Sequence, residues 1–154
     1  MCLRTVEEKK KFTFYNISFN SRKKILDKIA LMLEKEKEII FAVIYGGFID
    51  SKIFRDIDIA VFTGYKVPYE EMWSYTGSLA KRLEEVASIP VDIKMLDYAP
   101  PSFRVEILKK GKVIVDKEPY IRIILKWASL CELNDISIKC NKIKSILGEE
   151  VLSP

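Results

Sequence analysis

The chain has 154 residues, 49% of them hydrophobic and 31% charged. That is enough apolar side chain for one buried core and too much for a disordered segment. It contains no histidine, which excludes Ser-His-Asp and Cys-His catalysis, histidine-ligated metals and histidine pH switching. The net charge of +4, from 26 basic and 22 acidic side chains, tolerates a polyanionic ligand without demanding nucleic acid. Cys2, Cys131 and Cys140 form no CxxC pair and read as reduced thiols acting as small apolar fillers. The longest clearly apolar run, Ile39 to Tyr45, is far short of the roughly 20 residues a membrane helix needs. The segment Met1-Cys2-Leu3-Arg4 runs into charges without an apolar signal core. A cytoplasmic protein is therefore expected, with no membrane contact.

In chain order, residues 1–19 form a basic extension with apolar positions at Phe12, Phe14, Ile17 and Phe19, compatible with one edge strand. Asn20 and Ser21 are good N-caps, and Ile25, Ile29, Met32 and Leu33 recur at helical spacing to about Lys37. Ile39 to Tyr45 is apolar, β-branched and aromatic, a buried strand closed by Gly46-Gly47. Asp56 to Phe62 is a second strand, Tyr69 to Ala87 a helix, and Val91 to Leu96 a third strand. Pro100-Pro101 opens a helix that stops at Gly111 with Lys109 and Lys110 in its last turn, as helix-terminus chemistry favours. Lys112 to Asp116 is a fourth strand. A helix runs from Pro119 to about Cys131, and Asp135 to Leu147 continues helical. The alternation gives an α/β (α+β) fold, a small mixed β-sheet flanked by helices. The expected division is an extension over 1–19, a domain over 20–118 and a C-terminal helical segment over 119–154. Ile121, Ile123, Ile124, Leu125, Trp127, Leu130 and Cys131 cover more than one helical stripe. That segment should therefore meet another helix, either residues 135–147 folding back or a second chain.

The informative stretch is Tyr45-Gly46-Gly47, eight residues, then Asp56-Ile57-Asp58-Ile59-Ala60-Val61. Side chains alternate along a strand, so Asp56 and Asp58 share one face about 7 Å apart while Ile57, Ile59 and Val61 take the other. Asp92 and Lys94 repeat the device between Val91, Ile93 and Met95. Three aspartates from two strands can thus converge, and like charges at that range raise one another's pKa unless a cation neutralises them. All-oxygen ligation suits a hard cation such as Mg²⁺, and three carboxylates can hold two ions for an in-line phosphoryl or nucleotidyl displacement. The glycine pair lets a phosphate approach backbone N–H groups closely. Lys52 and Arg55, in the spacer, could neutralise triphosphate charge. Lys94 reads as a partner for a carboxylate. Tyr65, Tyr69, Trp73 and Tyr75 read as core aromatics, with base stacking as the other possibility.

This pattern resembles the nucleotidyltransferase superfamily of DNA polymerase beta: a strand, a glycine pair, a spacer, Asp-x-Asp and a third Asp on the next strand. More closely it is similar to the small prokaryotic minimal nucleotidyltransferases, often antitoxins partnered with a HEPN-domain toxin. The resemblance runs from about Ile39 to Asp116 and includes Asp97-Tyr98-Ala99-Pro100-Pro101-Ser102-Phe103-Arg104 and Ile107-Leu108-Lys109-Lys110-Gly111-Lys112-Val113-Ile114. It departs in Gly47, where many members have serine, and in a spacer a residue or two shorter than usual.

The resemblance implies a nucleotidyltransferase fold in which Asp56 and Asp58 bind two Mg²⁺ ions. Asp92 would bind the catalytic one and help deprotonate the acceptor. Gly46 and Gly47 would cradle the β- and γ-phosphates of ATP or another nucleoside triphosphate. It implies transfer of a nucleoside monophosphate, AMP foremost, to a hydroxyl on a partner such as a HEPN protein. Two other readings remain open: a binding module that neutralises its partner by contact over a vestigial site, and a plain structural domain. A homodimer is compatible with either functional reading.

Overall fold

A computed structural model describes residues 13–147. The first helix, α1 (Phe19–Lys35), is capped by Ser18, whose Oγ accepts the Ser21 N–H at 3.3 Å. The cap is therefore not Asn20 or Ser21, and the helix stops before Lys37. The lead-in strand is shorter than its apolar pattern: β1 (Tyr15–Asn16) pairs antiparallel with β3 (Ile53–Phe54), a two-residue strand inside the spacer. Phe14 and Phe19 are exposed, and Phe12 lies outside the described residues.

The main sheet has four strands in the order β5-β4-β2-β6, with β2 (Phe41–Tyr45), β4 (Ile57–Phe62), β5 (Val91–Met95) and β6 (Lys112–Asp116). β2 is antiparallel to both β4 and β6, while β4 and β5 run parallel. Alternation sorts the side chains into two cores. On one face Ala42, Ile44, Ile57, Ile59, Val61, Val91 and Ile93 pack with α1 and with α3 (Met72–Ala87), entered through a 3₁₀ turn at Tyr69–Glu71. On the other, Phe41, Val43, Ala60 and Phe62 pack with Ile107 of α4 (Pro101–Lys110) and Leu125 of α5 (Pro119–Leu147). The one-turn helix α2 (Gly47–Asp50) follows β2 directly.

Two features exceed what periodicity foresees. α5 is one unbroken helix of 29 residues, about 43 Å at 1.5 Å per residue, because neither glycine nor proline interrupts it. Its first half packs on α4, tied by Arg104 Nη2 donating to Glu132 Oε2 at 2.6 Å. The fold-back of residues 135–147 does not occur. Trp127, Ile123, Ile124 and Ile138 stay exposed, and Cys131 and Cys140 are exposed free thiols, not core fillers. Among the described residues no helix is long and apolar enough to cross a membrane.

The second feature is Asp97, a carboxylate only 4% exposed. It accepts from the Thr63 N–H (3.0 Å), Thr63 Oγ1 (2.8 Å) and the Tyr65 N–H (2.6 Å), holding the left-handed Gly64-Tyr65 turn at the end of β4 against the end of β5. A buried acceptor set of this kind is costly to lose. Asp97→Ala leaves the buried Thr63 hydroxyl without its acceptor and should lower unfolding free energy by about 2–4 kcal/mol in urea titration. A loss below about 0.5 kcal/mol, the range of ordinary surface changes, would contradict this.

Candidate functional site

Strand register assembles the site. In the parallel pair Asp58 stands opposite Asp92, and in the antiparallel pair Tyr45 stands opposite Asp58, so all three share the α4/α5 face of the sheet. Asp56 directly precedes β4, and the two-residue period gives it the same face as Asp58. All three aspartates are part-buried. Asp58 is pushed up from 3.8 to about 6, first by burial, then by the Asp56 and Asp92 charges, against the opposing pull of Lys94 and Arg55. Burial, then Asp58, Asp92 and Asp56, raise the Tyr45 phenol, which therefore stays protonated and neutral.

Gly46 adopts φ 74°, ψ −158°, a region open essentially to glycine alone. A Cβ there would meet Asp58 Oδ2 at 2.6 Å, so the backbone turn lies directly against the carboxylate. Gly46 caps α2, accepting from Ile49 and Asp50, and the first N–H groups of such a turn have no intrahelical acceptor. Gly47 differs: a Cβ there would touch Phe54 Cβ at an ordinary 3.4 Å, so space does not demand glycine.

The remaining candidates separate. Arg55 is exposed yet close enough to act on Asp58. Lys52 is an exposed spacer residue whose main-chain carbonyl accepts from Arg22 Nη2 at 2.7 Å. Lys94 pairs with Asp92, Nζ to Oδ2 at 3.1 Å, both side chains about half exposed (51% and 47%). Such a pair is worth about 0–1 kcal/mol and releases easily.

Tyr65, Tyr69 and Trp73 are exposed at 56%, 56% and 73%, contrary to the core reading. Tyr69 and Tyr65 pack edge-on against Tyr98, and Tyr69, Trp73, Lys94, Tyr98 and Phe103 line a cavity of about 400 Å³ along β5. A second cleft of about 300 Å³, lined by Tyr45, Gly46, Phe103 and Lys110, lies on the glycine side. Phe103 borders both.

Among the described residues no three acidic or cysteine side chains already stand where a single metal ion could be held. The donor set nonetheless fits a hard divalent cation: oxygen-only groups on one face, two in register, one kept proton-hungry by burial and by its neighbours' charge. Lys94 satisfies part of that demand at Asp92.

Over residues 27–120, more than half its length, the sequence matches the family described as polymerase beta nucleotidyltransferase. The chain belongs to that family. No curated protein matches it significantly by sequence. Among solved structures it is similar to a chain of the complex between tri-AMPylated HEPN toxin and MNT antitoxin from Shewanella oneidensis. The identity is 16%, the TM-score 0.62, and the match covers 86% of this chain and 99% of that one. It is also similar to a chain of the toxin–antitoxin MntA-HepT, at 15% identity and TM-score 0.58, over 88% of this chain and 100% of that one. A third similar structure is of the toxin–antitoxin with AMP-PNP, at 16% identity and TM-score 0.58, over 89% and 100%. At these identities the likeness establishes a shared fold.

The two glycines should respond oppositely to substitution. Gly46→Ala meets both the strained backbone and Asp58, so nucleotide binding measured by calorimetry should be lost together with about 1–3 kcal/mol of stability. Gly47→Ser fits sterically and adds a hydroxyl at the turn. It should preserve the melting temperature and tighten binding of a nucleoside triphosphate several-fold, to the extent of one added hydrogen bond. Equal effects of the two changes would refute this distinction.

Protonation of Asp58 sets a second expectation. Between 3.8 and about 6 the folded chain holds a proton that the unfolded chain has released, so this carboxyl favours the fold in acid. It costs stability as pH rises through that window. In chelator, Asp58→Asn should flatten the fall in melting temperature across it and raise the value at pH 7. An unchanged slope would show that Asp58 is not crowded.

Proposed function

We propose that the protein is a Mg²⁺-dependent nucleotidyltransferase that transfers AMP from ATP to a hydroxyl of a partner protein, with a HEPN-type toxin as the partner. The observation that carries this reading is the contact of the Gly46 turn with Asp58 while Asp92 stands in register beside it. The pairing follows the solved complexes of the same fold.

In this reading Asp56 and Asp58 would hold two Mg²⁺ ions, and Asp92 one of them. Bound there, the metals would neutralise phosphate charge and favour displacement at the α-phosphorus. The N–H groups at Gly46-Gly47 hold the β- and γ-phosphates, with Arg55 and Lys52 adding positive charge from the spacer. In-line geometry then places the incoming hydroxyl opposite the departing pyrophosphate, on the Asp92 side, beside the aromatic cavity along β5. Asp92 accepts the acceptor's proton. The O–P bond to the acceptor forms as the α–β bridge breaks, and pyrophosphate leaves toward the glycine turn. Tyr45, neutral and next to Asp58, completes the wall of the glycine-side cleft.

The second reading is a binding module that silences its partner by contact. Gly47, which brings no hydroxyl, and the Lys94–Asp92 pair favour it. Both readings use the exposed α5 face around Ile124 and Trp127 as the surface for a partner or a second copy.

Incubating the chain with labelled ATP, Mg²⁺ and the HEPN protein separates them. Transfer is expected on the partner, and Asp92→Asn should slow it about 10²-fold or more while leaving ATP binding measurable. Partner inhibition without label, persisting in Asp92→Asn, would establish the contact reading instead.

A further inference from the structure

The spacer between the glycine pair and the aspartates is short, and its carbonyls converge on one side chain. Arg22, part-buried in the first turn of α1, donates through Nη1 to Phe48 O (2.6 Å) and Ser51 O (2.7 Å), and through Nη2 to Lys52 O (2.7 Å). Its Nε donates to Ile17 O at 3.2 Å. The guanidinium also lies over the rings of Phe48 and Phe54, at 5.6 Å and 4.8 Å from their centroids. Among the described residues no carboxylate pairs with it.

An arginine that spends its donors on four main-chain carbonyls does something a salt bridge does not. Three of those carbonyls belong to α2 and the residues just after it, the back of the turn whose front carries Gly46 and Gly47. A four-residue helix has no cooperative stability of its own. Its shape must be imposed from outside, and the planar fork imposes it at several points at once.

We propose that Arg22 is a positioning residue for the triphosphate: it fixes the Gly46-Gly47 turn so that its N–H groups meet the β- and γ-phosphates. The inference rests on the nucleotidyltransferase reading and adds a residue remote in sequence from the motif. Lysine keeps the charge but cannot reproduce a planar fork reaching four acceptors. Its substitution therefore loosens the turn while sparing most of the packing.

The experiment compares the wild type, Arg22→Lys and Arg22→Met by calorimetry with AMP-PNP and with AMP, each in Mg²⁺. Circular dichroism confirms the fold of each variant. Arg22→Lys is expected to weaken AMP-PNP about tenfold, the scale of one or two charge-assisted hydrogen bonds. AMP, which lacks the two outer phosphates, should change less than twofold. A role confined to packing would weaken both ligands alike, or neither while lowering the melting temperature, and either result overturns the proposal. Should Arg22→Met fail to fold, the AMP-PNP to AMP ratio in Arg22→Lys still decides. A wild-type chain that binds neither ligand overturns the nucleotide reading itself, and is told apart by failing before any substitution is made.

Discussion

Everything in the site hangs on the register between β2, β4 and β5. A slip of one residue in any of them would send Tyr45, Asp58 or Asp92 through the sheet into the apolar face under α1 and α3. The register is pinned outside the site. Ile57 N–H donates to Pro90 O at 2.9 Å where the strands begin, and Leu96 N–H donates to Val61 O at 2.8 Å where they end. Asp97 then locks the following turn, and Glu84 reaches from α3 to accept the Val91 N–H at 3.0 Å. The apolar residues between the aspartates do the rest, because Ile57, Ile59, Val91 and Ile93 have no comparable place on the other face.

That register creates an electrostatic cost which the fold only partly offsets. Three carboxylates share one side of two neighbouring strands, and the cations nearby, Lys94 and Arg55, are both exposed. Burial first, then the neighbouring carboxylates, raise the proton affinity of Asp58, and the exposed cations offset this only in part. Arg22, with a stronger claim to strength, is committed to carbonyls behind the turn and not to the carboxylates. The arrangement leaves carboxylates crowded against the Gly46 turn. A divalent cation carries the complementary charge.

Much of this was legible in the sequence, and the exceptions have physical reasons. Strands of five or six residues with clean alternation, such as β4 and β5, announce both their faces and their aspartates. β1, β3 and α2 have two to four residues each, too few for any period, so the spacer reads as a loop although Arg22 organises it. Arg22 and Asp97 escape for a related reason: their partners are mostly main-chain groups, which every residue carries and no sequence pattern marks. The aromatics near Tyr69 misled because an edge strand leaves its flank uncovered. Side chains that would be core beside a central strand line a cavity instead.

The reading of the C-terminal helix turns on where the body of the protein ends. Up to about Leu133, α5 has α4 and the sheet beneath it, with Leu125 and Ser129 buried. Beyond that point the helix continues while its support does not, and Ile136, Ile138, Ile143 and Ile146 remain exposed. The change in apolar spacing between the two halves marks the loss of a neighbour, not the end of a helix. Tyr120, Ile124, Trp127, Cys131 and Ile138 follow one another at steps of four, three, four and seven, which keeps them on one stripe facing away from the sheet. A helix of some 40 Å with an apolar stripe along its length has the form of half of a helix pair. Beneath the first half of α5, α4 reaches the face that carries the aspartates through Phe103, which lines both clefts. A chain docked along that stripe would lie on the outer side of α5, with the helix itself between it and the sheet.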